Sequence, residues 1–115
     1  MKIHLVTLSN IPSKAVDKKF KDYIDKNKFE WWRYMALVWA VATPDDVTTN
    51  DIMIAVNECY GPVFSFVIEV DVKDMAGMFP GPNSIDVPKD WNPFAWFRDV
   101  KKPEYVPRWI REKVL

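Results

Sequence analysis

The sequence predicts an α+β domain, on three observations. Two stretches carry apolar residues at helical spacing, and three others have the alternation or aromatic density of strands. The chain has 115 residues, 49% of them apolar, the size and content of one domain with its own core. Aromatic residues make up 15%, the reverse of a composition that stays disordered.

The first strand falls within residues 1–8. Ile3, Leu5 and Thr7 alternate with His4, Val6 and Leu8, so both faces are expected to be at least partly covered. Ser9, Asn10 and Pro12 break this strand. Ser13 is placed to cap a helix with Val16, Phe20, Tyr23 and Ile24 on one side and Lys14, Lys18, Lys19, Lys21 and Lys26 over much of the rest. That helix is expected to end near Asn27. Residues 30–43, EWWRYMALVWAVAT, are apolar on both pleat faces and read, from physics alone, as one long buried strand.

Pro44, Asp45 and Asp46 form a turn, and Thr48 with Asp51 has the spacing of a capping box. The helix that follows places Ile52, Ala55, Val56, Cys59 and Tyr60 on one buried stripe before Gly61 and Pro62 stop it. Cys59 is thereby expected in the core. Residues 63–72 form another strand, with Phe64, Phe66, Ile68, Val70 and Val72 on one face and Ser65, Glu69 and Asp71 on the other, partly wet face. From Lys73 onward Gly77, Pro80, Gly81, Pro82, Pro88 and Pro93 interrupt the chain, while Met78, Phe79, Trp91, Phe94, Trp96 and Phe97 predict a loop packed against the rest.

Formal charge is zero but unevenly spread. Residues 1–43 hold eight basic and four acidic residues, residues 44–97 two and nine, and residues 98–115 six and three. Basic ends around an acidic middle suit docking by complementary patches, or nucleic-acid binding. The zero net charge argues against a dedicated nucleic-acid binder. The alternating start and the absence of a long uncharged apolar run predict neither a signal peptide nor a membrane span. A single cysteine, Cys59, excludes an internal disulfide and a multi-cysteine zinc site, and fits a reducing compartment.

Hydrolysis needs a nucleophile with its base, or carboxylates and histidines converging on a metal. The one histidine, His4, sits in the first strand, where a structural role is expected, and nothing places it beside Cys59. Glu69 and Asp71 on one strand face, with Asp74 after them, offer hard oxygen ligands, although a polar sheet face explains them more simply. Gly61, Gly77 and Gly81 are isolated, so there is no phosphate-binding loop. No catalytic residue, cofactor or metal is assigned. Lys14, Lys18, Lys21, Arg33, Arg98, Lys101, Lys102, Arg108 and Arg111 are the candidates for binding a partner or nucleic acid, because phosphates attract cations while bases stack on aromatic rings. Trp31, Trp32, Trp91, Trp96 and Trp109 are candidate interface residues, since tryptophan is enriched where partners meet.

Strand, helix, apolar β segment, helix, strand begins a split βαβ arrangement once residues 30–43 fold into a hairpin. Residues 31–43 resemble the hairpin signature of small SinR-like proteins, in which paired tryptophans begin one strand and a single Trp marks the next. Trp31, Trp32, Tyr34, Trp39 and Thr43 carry the match. The runs VFSFVIEV at 63–70, AGMFP at 76–80 and FAWF at 94–97 are similar to that family's final strand and aromatic follow-on. That family in turn resembles the dimeric ferredoxin-like subunit of the CRISPR adaptation complex. The resemblance implies a ferredoxin-like βαββαβ fold over residues 1–97, an antiparallel sheet with two helices on one face. An aromatic and basic extension follows over 98–115. It also implies a homodimer in a nucleic-acid-related setting. The Met35, Ala36, Leu37 bend lacks the usual turn residues, and Ser9 or Asn10 stands where those relatives have an Asp, so the family's metal-nuclease hypothesis loses its central ligand.

The function expected is therefore a non-catalytic binding module without cofactor, a homodimer that engages a protein or nucleoprotein partner in the cytoplasm (the host cell's, if viral) and no membrane. The setting expected is prokaryotic or viral, compatible with a phage or mobile-element protein that inhibits a host defence complex of CRISPR type. The alternative is a metal-dependent nuclease using Glu69, Asp71 or Asp74, or a nucleic-acid-binding protein related to the CRISPR adaptation subunit.

Overall fold

The computed structural model describes residues 1–77, 93–107 and 110. Its elements are β1 (Lys2–Leu8), α1 (Lys14–Lys26), β2 (Glu30–Met35), β3 (Val38–Thr43), α2 (Thr49–Tyr60), β4 (Ser65–Val70) and α3 (Pro93–Asp99). The four strands form one antiparallel sheet in the order β2-β3-β1-β4. With α1 joining β1 to β2 and α2 joining β3 to β4, this is the ferredoxin-like arrangement. α3 is an addition to its six elements.

Local chemistry sets the helix limits. The Ser13 hydroxyl accepts from Val16 N–H, and Thr48 and Asp51 exchange side-chain and main-chain bonds in a full capping box. α1 ends in a Schellman motif: Phe29 N–H donates to Ile24 O and Lys28 N–H to Asp25 O, with Lys28 in the left-handed region at φ 58°. Residues 30–43 are two strands. The bend between them has no glycine or asparagine. Instead the Arg33 guanidinium donates to Met35 O at 3.4 Å and Ala36 O at 2.6 Å, beside a register shift between Trp32 and Met35.

The sheet is covered on both faces, which is why β1 and β3 are apolar on both. On one face α1 and α2 pack Phe20, Ile24, Ile52 and Val56 against Val6, Trp39 and Val41. On the other, Trp96 of α3 and Val100 pack with Ile3, Trp32, Ala40 and Ala42, the small alanines leaving room for indole rings.

Three expectations change. The stretch expected as a loop ends in a helix, α3, which runs across the 97/98 line drawn from sequence and buries Trp96, with Val100 buried just after its end. Trp32 and Trp96, expected at an interface, are 4% and 3% exposed, enclosed by the second core. In β4 the apolar row is the more exposed one, with Phe66 at 55% and Ile68 at 43%, while Val67 packs on the first core and Ser65 meets Met53. α3 covers only the end of that face near Ile3, Val70 and Val72, leaving the Phe66 end open. Trp91, Trp109, Arg108 and Arg111 lie outside the described residues.

Candidate functional site

α1 projects Lys14, Lys18 and Lys21 at i, i+4 and i+7, a single helical face. That face stands beside the β2–β3 hairpin, and together they form a 560 Å³ cleft lined by the three lysines, Trp31, Arg33 and Tyr34 among others. Lys21 Nζ lies 5.9 Å from the Trp31 ring centroid. Lys18 and Lys21 pair with Asp22 and Asp25 at 2.7 and 2.9 Å, exposed i, i+4 contacts that are readily exchanged for another anion. Lys14 makes no ion pair among the described residues. Four of the nine predicted binding cations thus converge on one surface with one of the predicted interface tryptophans.

Arg33 has a different role from the lysines. Its guanidinium lies 4.4 Å from the Trp39 ring centroid and pairs with Asp17 at 2.7 Å, its side chain only 14% exposed. Asp17 also accepts from the Tyr60 hydroxyl at 2.7 Å, and Tyr60 accepts from Trp39 Nε1–H at 2.9 Å. The circuit Trp39, Tyr60, Asp17, Arg33 ties together β3, α2, α1 and β2. Burial, and then the bond to Asp17, push the Tyr60 phenol well above the ordinary tyrosine range. Arg33 is the cleft's floor. Its charge is committed to Asp17 and its donors to the hairpin bend, which leaves recognition to the lysines and Trp31.

The other described binding candidates, Arg98, Lys101 and Lys102, stand in or just after α3, on the opposite face of the sheet. Arg98, Lys101 and two carboxylates, Asp71 and Asp74, line a 660 Å³ cleft between α3 and the segment after β4. Lys102 pairs with Asp99 at 2.9 Å and Lys101 approaches Asp71 at 3.8 Å. With both signs interleaved, this cleft has little field of its own.

The remaining chemical candidates are accounted for by structure. His4 is fully buried, its Nε2 3.0 Å from Thr43 Oγ1. The Thr43 hydroxyl donates to Pro44 O at 3.1 Å, so Nε2 carries the proton and donates to Thr43. Burial lowers the His4 pKa despite Glu69 nearby. Burial raises that of the Cys59 thiol, the opposite of activation. Glu69 pairs with Lys2 at 3.6 Å, and Asp74 accepts from Met75 N–H at 2.9 Å. Among the described residues no three His, Cys, Asp or Glu side chains gather closely enough to hold a metal ion. None of their helices is long and apolar enough to cross a membrane.

Compared with known proteins, the chain matches no family model, no curated protein and no solved structure. Its function is therefore argued from the cleft.

Proposed function

We propose that this protein is a non-catalytic binding module, a homodimer that engages a nucleoprotein partner through the α1–β2 cleft. The observation that carries the reading is that Lys14, Lys18 and Lys21 line one cleft with the partly exposed Trp31, Lys21 lying over its ring, above a floor tied by the Arg33–Asp17 ion pair. Ammonium groups draw in phosphate oxygens from a distance, and an indole offers a face on which an unpaired base stacks. The three lysines stand on one helix, so they are spaced along a line and suit a strand-like polyanion better than a single compact anion. Inhibition of a host defence complex of CRISPR type, by a phage or mobile-element protein that occupies its surface, is the role that the resemblance of Trp31, Trp32, Tyr34, Trp39 and Thr43 to the SinR-like hairpin adds to this reading.

The test is binding of short labelled single-stranded DNA and RNA to the full chain at low salt, with the triple variant K14A/K18A/K21A alongside. The wild type is expected to bind and the variant to bind at least tenfold more weakly. Equal affinities would remove the cleft from the account.

A further inference from the structure

We propose that the outer edge of β4 pairs with β4 of a second copy, antiparallel and centred on Val67, joining two four-stranded sheets into one of eight strands. This specifies the homodimer of the reading above and rests on it for the existence of a dimer, though on none of its claims about the lysine cleft.

The two sheet edges differ in kind. β2, at one edge, has a register shift between Trp32 and Met35 and carries Glu30 and Arg33, devices that discourage pairing with another strand. β4, at the other, is SFVIEV, in unbroken register with β1 over six residue pairs, with no proline, lysine or bulge. No described strand pairs with its outer side. An unpaired, largely apolar edge with a single charge, Glu69, is a template for strand addition.

Main-chain geometry fixes which groups point outward. Ser9 N–H donates to Phe64 O at 2.9 Å, so the main-chain groups of Phe64, Phe66, Ile68 and Val70 turn toward β1 and those of Ser65, Val67 and Glu69 turn away from it. A two-fold axis at Val67 sets the outward groups opposite one another: Val67 to Val67, Ser65 to Glu69 of the second copy. Each carboxylate then meets a hydroxyl and no like charges face each other.

The same register puts Phe66 opposite Ile68 of the second copy and Phe64 opposite the second copy's Val70. These are the exposed apolar side chains of β4 and its approach: Phe64 88%, Phe66 55%, Ile68 43%. Phe64 lands at the border of the second core, beside Val70 and Val72. Covering these side chains in both copies, with the strand edges between them, removes roughly 1,000 Å² from water, the low end for a specific interface.

Sedimentation of the full chain over a micromolar concentration series, with V67P, F66K and I68E, tests this. V67P removes an outward N–H at an edge position, where proline is tolerated, and trims a side chain at the margin of the first core, so its circular dichroism is the control on its fold. F66K and I68E change exposed positions. Each variant is expected to keep the wild-type circular dichroism and to raise the dimer Kd tenfold or more. Mixing F66K with I68E is expected to regain a dimer, because opposite charges then face each other across the seam. A wild-type dimer indifferent to these changes, or singly disrupted variants that fail to pair on mixing, would overturn the β4 seam while leaving the homodimer standing. A chain monomeric throughout the series would overturn both, and the oligonucleotide assay would still judge the cleft separately.

Discussion

Tyr60 is the side chain on which most of the described fold converges. Its hydroxyl is acceptor for Trp39 and donor to Asp17, which in turn holds Arg33. Tyr60→Phe removes both bonds and leaves a buried indole N–H without an acceptor, a loss of about 1–3 kcal/mol in chemical denaturation. His4 gives a second prediction, with a definite sign. Its folded-state pKa lies below the ordinary histidine value of 6.5 because burial disfavours the imidazolium. The unfolded chain therefore binds the proton more readily. The stability this group contributes is complete above pH 6.5 and is lost as the pH falls below it. His4 is the sole histidine, so urea unfolding between pH 7 and pH 5 isolates it, and His4→Gln is expected to flatten the slope. A structural role for His4 is legible from its place in the first strand, whereas that of Tyr60 is not. The Tyr60–Asp17 contact spans 43 positions, and nothing local in the chain announces it.

At the scale of elements, α1 and α2 were legible because their caps and stripes are local: Ser13, Thr48 with Asp51, and the Ile52, Ala55, Val56, Tyr60 spacing all stand where the periodicity puts them. The two-strand reading of residues 30–43 came from the resemblance. The physical reason the bend works is the Arg33 guanidinium, which replaces a turn residue's geometry with hydrogen bonds to two carbonyls. α3 was hidden by the prolines and glycines around it, although Pro93 at its first position and the Trp96–Val100 spacing are signals in retrospect. The more exposed row of β4 is not legible in the sequence, because alternation identifies two faces without saying which one a helix covers. Lys28 supplies this scale's prediction. A side chain in the left-handed conformation costs an L-residue roughly 1 kcal/mol, so Lys28→Gly, at the Schellman position after α1, is expected to raise stability by about 0.5–1 kcal/mol in denaturant titrations.

For the whole molecule, the sheet separates two kinds of surface. The face with α1 and α2 carries the lysine and tryptophan cleft, and the face with α3 carries interleaved charges and the open end of β4's apolar row. The basic character of residues 1–43, visible in the sequence as a bias, becomes a surface through the helical spacing of Lys14, Lys18 and Lys21. Arg98, Lys101 and Lys102 belong to a different face, a division that composition does not reveal. The central claim is that the lysine cleft binds a polyanion, and the salt dependence of oligonucleotide binding by the full chain tests it most directly. Each lysine–phosphate contact on a single strand contributes a slope of about −0.7 to log K against log salt. Three such contacts give an expected slope near −2 for the wild type, falling in magnitude by about 0.7 in Lys14→Ala. No binding at low salt, or a slope that Lys14→Ala leaves unchanged, would contradict it.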